Sequence, residues 1–133
     1  MKLSKAQVAE VVGEASKKMS DPNYSAVMVG SFVQRQAPTS QFISAHQSEL
    51  GGAEVVVHVI FHSALIHECF QRAGGRPLRV LSFEDLDGVA KGDTMAKLAK
   101  VQPPLHEYIE SNVDAKPAQQ LIALLALAMD YVS

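Results

Sequence analysis

Two histidines and a glutamate at a regular spacing are the residues of this sequence whose types could do chemistry together. Glu54, His58 and His62 follow one another at intervals of four positions, so on a helix their side chains project from one face. Neutral imidazole is a good ligand for zinc, copper, nickel and iron. The spacing therefore suggests a site for a divalent transition metal or another small ligand, with Glu54 as a ligand or as a partner of His58.

This polar stripe also has a simpler interpretation. It lacks the His-Glu-x-x-His pattern, because residues 59–61 are Val, Ile and Phe, and it lacks the Glu-x-x-His of di-iron bundles. A complete metal site would need further ligands from other helices, for which the sequence offers His46, Glu49, His67, Glu68, His106 and Glu107. We favour the alternative, in which the stripe is the polar side of a core helix and the protein has no cofactor.

Three arginines could form an anion site. Arg72, Arg76 and Arg79 surround a pair of glycines, and a guanidinium group can hold a phosphate or an acidic segment of a partner. Alternatively, Arg72 complements the negative end of a helix dipole and the other two are solvated. No aromatic residues accompany them, so the cluster does not resemble a nucleic-acid site.

No motif predicts catalysis. The sequence contains no Gly-x-Ser-x-Gly, no Walker A and no dinucleotide fingerprint. Cys69 has apolar neighbours, which favours a role in core packing. The members of His67-Glu68 and of His106-Glu107 would diverge by about 100° on a helix and cannot act as pairs. We therefore predict a protein that is not an enzyme.

Composition is that of one globular domain spanning residues 1–133. The chain is 47% hydrophobic and 20% charged, with a net charge of −2 and a single cysteine. This balance argues against a nucleic-acid partner and excludes an intrachain disulfide. No signal peptide and no uncharged run of about 20 apolar residues is present, so we expect no membrane partner and a cytoplasmic location. No internal repeat is found at a solenoid period.

A long apolar segment between two glycine pairs predicts the centre of the fold. Residues 52–73 are apolar on most sides of a helix, apart from the sector that carries Glu54, His58 and His62. Ser4 could cap a first helix, and residues 82–85 resemble a capping box with aspartate in the acidic position. We predict an all-α bundle of five to seven helices around residues 52–73.

An α+β fold is the alternative. Residues 55–62 are rich in valine and isoleucine, which locally favour a strand, and residues 24–36 could be helix or strand. Residues 78–83 form the most extended stretch. In this alternative, these three segments pair in a small sheet.

The C-terminal segment suggests a partner. Residues 117–131 form an apolar helix with few charges, which must be buried in this chain or against a second copy. We therefore predict a non-enzymatic protein-interaction or adaptor domain that forms a homodimer through residues 117–131. The alternative function is a small-ligand or metal-binding helical protein that uses Glu54, His58 and His62.

Overall fold

Helices account for all the regular structure of residues 2–133, the part of the chain that the computed structural model describes. Their bounds are α1 Lys5–Lys18, α2 Pro22–Arg35, α3 Ala37–Ala45, α4 Gln47–Leu50, α5 Ala53–Gly74, α6 Phe83–Val89, α7 Thr94–Val101, α8 Pro103–Asn112 and α9 Lys116–Val132. The predicted all-α fold is confirmed. These nine helices exceed the predicted five to seven, because four of them restart the chain with a proline in their first turn.

The alternative sheet does not form. Residues 24–36 lie almost entirely in α2, and residues 55–62 lie in α5. Of residues 78–83, the first five belong to no helix or strand, and Phe83 begins α6. The β-branched residues of α5 are helical because burial against other helices outweighs a local preference of a few tenths of a kcal/mol.

Side-chain caps fix the starts of several helices. Ser4 and Ser82 each form a capping box with the residue three positions later, Gln7 and Asp85 respectively. Asp21 and Asp93 cap α2 and α7 through their carboxylates. These caps satisfy backbone N–H groups that have no partner inside the helix.

Helix α5 is the centre of the fold, as residues 52–73 predicted. It packs against α1, α2, α3, α4 and α9, and its apolar side chains belong to one continuous core cluster. Glycines with positive φ set both of its ends, Gly52 at φ 134° and Gly75 at φ 68°. Residues that carry a side chain rarely adopt these backbone angles, because the Cβ atom would clash with the backbone. The glycine pairs therefore mark the ends of the helix for a steric reason.

Helix α9 lies inside the chain's own core. It packs against α4, α5, α6, α7 and α8, and every residue of 121–129 is buried. Tyr131, near its end, is 71% exposed. The apolar surface on which the predicted homodimer through residues 117–131 depended is therefore covered by this chain itself.

By length and composition alone, α5 could cross a membrane. Ten residues of this helix are buried in the core, and 56% of its most apolar 18-residue segment is buried inside the structure. A core helix passes the same test of length and composition, so the test is weak support for a membrane span.

Candidate functional site

The polar stripe of α5 lies at the edge of the core. Glu54 and His58 are exposed, whereas His62 is half-buried. The predicted common face is therefore present, but only His62 faces the interior. The stripe thus runs from solvent at Glu54 and His58 to the contact with α8 at His62.

His62 is held by a tyrosine from α8. The Nδ1 atom of His62 lies 2.6 Å from the hydroxyl oxygen of Tyr108, and the two rings meet edge to face with centroids 5.7 Å apart. Burial, with a smaller contribution from His58, lowers the pKa of His62. Burial also raises the pKa of Tyr108. Both groups are therefore uncharged near pH 7.

A small pocket opens beside this pair. Its volume is about 170 Å³, and most of its lining is apolar. The lining residues come from the first half of α5, from the α8–α9 connection and from the start of α9: Val55, His58, Val59, His62, Asn112, Val113, Asp114, Ala115, Ala118 and Ile122. His62 is thus a neutral polar group on the wall of a mostly apolar site.

The metal ligands that the sequence suggests form no complete site in the part of the chain that the structure describes. Within residues 2–133, no three His, Cys, Asp or Glu side chains converge closely enough to hold a metal ion. The other candidate ligands have separate positions: His46 bonds the carbonyl of Phe42, Glu68 pairs with Arg72, and His106 faces Glu110. Within residues 2–133, the metal hypothesis for Glu54, His58 and His62 therefore gains no further ligand from another helix.

Of the three arginines, Arg76 and Arg79 line one pocket, and Arg72 is not part of its lining. Arg72 bonds Glu14 at 2.6 Å and Glu68 at 3.0 Å. Arg79 donates two hydrogen bonds to the carboxylate of Asp85 in a bidentate arrangement, at 2.8 and 3.0 Å. Arg76 is exposed and lies near the end of α5. Two of the three predicted anion ligands are thus already engaged by carboxylates of this chain.

Cys69 is a core residue. It is buried, and burial raises the pKa of its thiol to about 12. The nucleophilic form is the thiolate, which is scarcely populated at neutral pH in this environment. The interpretation of Cys69 as a packing residue fits this position.

Sequence reasoning missed the buried polar residues. Gln36 and Gln102 are fully buried, and His67 is 5% exposed. Each glutamine stands just before a helix with proline in its first turn. A polar residue repeated at such a junction was the one signal that could have pointed to them.

Comparisons with protein families, curated proteins and solved structures find no match to this chain.

Proposed function

We propose that this chain is a non-enzymatic binding protein for a small, uncharged, ring-sized molecule. The site is the pocket between α5, α9 and the α8–α9 connection. The observation that carries the proposal is the position of the His62 imidazole on the wall of this mostly apolar pocket, with its Nδ1 atom 2.6 Å from the hydroxyl oxygen of Tyr108.

The size of the pocket limits the ligand. Its volume is about 170 Å³, whereas drug-sized ligands occupy roughly 300–1,000 Å³. An apolar protein cavity of about 150 Å³ takes up benzene. The pocket therefore suits one ring with few substituents.

The polar groups favour an uncharged ligand with one hydrogen-bonding group. Nδ1 of His62 bonds to Tyr108, so a ligand in the pocket would form its hydrogen bond with Nε2. A ligand carboxylate would be repelled by the carboxylate of Asp114, which also lines the pocket. A cationic ligand would lose its hydrating water against the apolar side chains of Val55 and Ile122, which costs free energy. A hydroxyl group can donate or accept, so it can bond to Nε2 in either tautomer of the neutral ring.

The chemistry of the lining supports binding rather than catalysis by a nucleophile. The residues that line the pocket include no serine, threonine, cysteine or lysine. His62 and Tyr108 are both neutral and bonded to each other, which positions the imidazole without activating a third group.

Titration with phenol and with toluene tests the proposal. The two probes are close in size, but only phenol carries a hydroxyl group. We expect phenol to shift the backbone amide signals of residues 55–62 and 112–122 in ¹H–¹⁵N spectra, and toluene to bind about tenfold more weakly, which corresponds to one hydrogen bond. Val55→Phe should fill the pocket and abolish both effects.

Val57→Phe is the matched control. Val57 lies on the same helix but is exposed and does not line the pocket, so this variant should bind phenol as the unmodified protein does. If phenol shifts no signals, shifts only signals elsewhere, or still binds to Val55→Phe, the proposed function is wrong.

A further inference from the structure

Two buried glutamines adopt the same backbone conformation. Gln36 has φ −126° and ψ 56°, and Gln102 has φ −139° and ψ 69°. The N–H of each donates to the carbonyl four residues earlier, Phe32 or Leu98, at 2.8 Å. Each glutamine ends one helix and starts the next. Two junctions 66 positions apart in the chain are therefore built alike.

The carbonyl oxygens of both side chains accept from matching positions. Oε1 of Gln36 accepts from the N–H of Leu81 at 2.8 Å, and Oε1 of Gln102 accepts from the N–H of Leu3 at 3.0 Å. Leu3 and Leu81 are both buried. Each immediately precedes the serine that caps a helix through a capping box.

The amide nitrogens also reach matching positions. Nε2 of Gln36 lies 3.3 Å from Nε2 of His67, and Nε2 of Gln102 donates to the carboxylate of Asp130 at 2.8 Å. His67 is the fifteenth residue of α5, and Asp130 is the fifteenth residue of α9. Each contact thus joins a glutamine to the fifteenth residue of a long core helix, α5 in one case and α9 in the other.

The helix contacts repeat in the same order. In the first part of the chain, α5 packs against α1, α2 and α3, and α2 packs against α3. In the second part, α9 packs against α6, α7 and α8, and α7 packs against α8. In this comparison α1 corresponds to α6, α2 to α7, α3 to α8 and α5 to α9. Between the two parts, α1 contacts α8 and α6 contacts α3, so each part makes the same contact with the other.

The two long helices run parallel. Val55 and Val59, near the start of α5, share a pocket with Ala118 and Ile122 near the start of α9. At the other end, Phe70 of α5 and Val132 of α9 line a common cavity. A two-fold axis parallel to both helices would exchange them.

We infer that the chain is an internal duplication, in which residues 3–74 and 81–132 are two copies of one four-helix unit related by a pseudo-two-fold axis. The first copy contains α4 in addition to its four matching helices. Each copy uses its buried glutamine to hold the start of the other copy. This reciprocal contact is the kind found between the two subunits of a symmetric dimer. Here residues 75–80 join the two partners into one chain.

The pocket marks the place where the two halves differ. In the first half, α4 follows α3 and packs against α9. The second half has no counterpart of α4, and the pocket lies at the corresponding place against α5. His58 and His62 occupy the sixth and tenth positions of α5, where α9 has Leu121 and Leu125. The absence of a counterpart of α4 and the presence of two histidines thus distinguish this site from its symmetric equivalent.

A circular permutant tests the duplication. Ser133 stands where Phe70 stands in the other half. Residues 71–80, which are the last turn of α5 followed by the connection between the halves, should therefore also connect Ser133 to Leu3. The permuted chain runs from Leu81 to Ser133, continues through a copy of residues 71–80, and ends with residues 3–74. We expect a cooperative melting transition within about 5 °C of the original, with amide spectra that overlay outside the new junction. An unfolded or aggregated permutant would contradict the equivalence of the two connections.

Hydrogen exchange in the unpermuted chain provides a second test. Gln36→Leu removes the acceptor of Leu81, so exchange should rise about tenfold in α6 and remain unchanged in α1. Gln102→Leu should do the reverse. Gln34→Leu, an exposed position in α2, should change neither helix. If Gln36→Leu loosens α1 rather than α6, or if both variants loosen the same helix, the reciprocal arrangement is wrong.

Discussion

At the scale of single residues, the buried imidazole of His67 has a fixed proton arrangement. Oε1 of Gln36 accepts from the N–H of Leu81, and Nε2 of Gln36 donates to the carbonyl of Arg79 at 3.0 Å. These two backbone contacts determine which way the amide points. Nε2 of Gln36 therefore faces His67 as a donor, and Nε2 of His67 must accept.

This arrangement predicts a loss of stability in acid. Burial lowers the pKa of His67 to about 4, against about 6.5 in an unfolded chain. Between these values the unfolded state binds more protons, so the stability is complete above about pH 6.5 and falls as the pH drops towards 4. The pKa difference corresponds to roughly 3 kcal/mol. Because pH 4.5 still lies above the folded pKa, we expect about 2 kcal/mol of this loss between pH 7 and pH 4.5, measured as the free energy of unfolding by urea.

His67→Gln isolates this contribution. A glutamine amide can accept from Gln36 and does not titrate, so the variant should lose less stability than the original protein between pH 7 and pH 4.5. His58→Gln, an exposed position on the same helix, should change this difference by less than His67→Gln does, because His58 acts on it through its smaller contribution to the lowered pKa of His62. Equal pH dependence in His67→Gln and the original protein would exclude His67 as the cause.

Single residues show where sequence reasoning reaches its limit. The common face of His58 and His62 follows from helical periodicity, so it could be predicted. Tyr108 lies 46 positions from His62, and no local pattern indicates that the two side chains meet. The choice between a metal ligand and a hydrogen-bonded imidazole depends on that distant contact.

At the scale of elements, the caps are where the sequence was most informative. The helix start at Ser4 and the capping box at residues 82–85 were both predicted, because they depend on side chains within three residues. The strand alternative for residues 55–62 failed for the opposite reason. Those valines and isoleucines are helical through contacts with α9 and other distant helices, which outweigh local preference.

The cap of α6 supports a specific prediction. This helix has only seven residues, so its first turn is a large part of it. Ser82→Ala removes the acceptor for the N–H of Asp85 and should lower the free energy of unfolding by about 1 kcal/mol. Ser82→Gly should cost only a few tenths of a kcal/mol, because glycine lets water reach the open N–H groups. Urea denaturation measures both.

Ser111→Ala is the control for this cap. Ser111 is exposed in α8 and caps no helix, so its replacement should change the free energy of unfolding by less than about 0.5 kcal/mol. A loss in Ser82→Ala no larger than in Ser111→Ala would mean that the cap does not stabilise α6.

At the scale of the whole molecule, the repeat was not visible in the sequence because the two halves share few residues and differ in helix length. The two halves share a serine cap, a buried glutamine and an isoleucine at matching positions, such as Ser4 and Ser82 or Ile43 and Ile109. Their helices differ in length, since α1 has 14 residues and α6 has seven. The two halves are equivalent in the contacts between their helices. Such contacts join distant segments, so no short stretch of sequence reveals them.

The pairing of α5 with α9 also bears on the predicted homodimer. In a symmetric dimer of one four-helix unit, each subunit would cover its long apolar helix with that of its partner. This chain contains both long helices and buries residues 121–129 against its own core. We therefore expect native mass spectrometry to show a single chain of 14.3 kDa at micromolar concentration.

A species of twice that mass would mean that the chain associates through a surface other than the buried face of α9. Tyr131→Ser then distinguishes two cases, because Tyr131 is the most exposed large apolar side chain of α9. If this variant is a monomer, the dimer contact includes the exposed end of α9, as the prediction for residues 117–131 requires. If it remains a dimer, the contact lies elsewhere, and the pairing of α5 with α9 within one chain is independent of it.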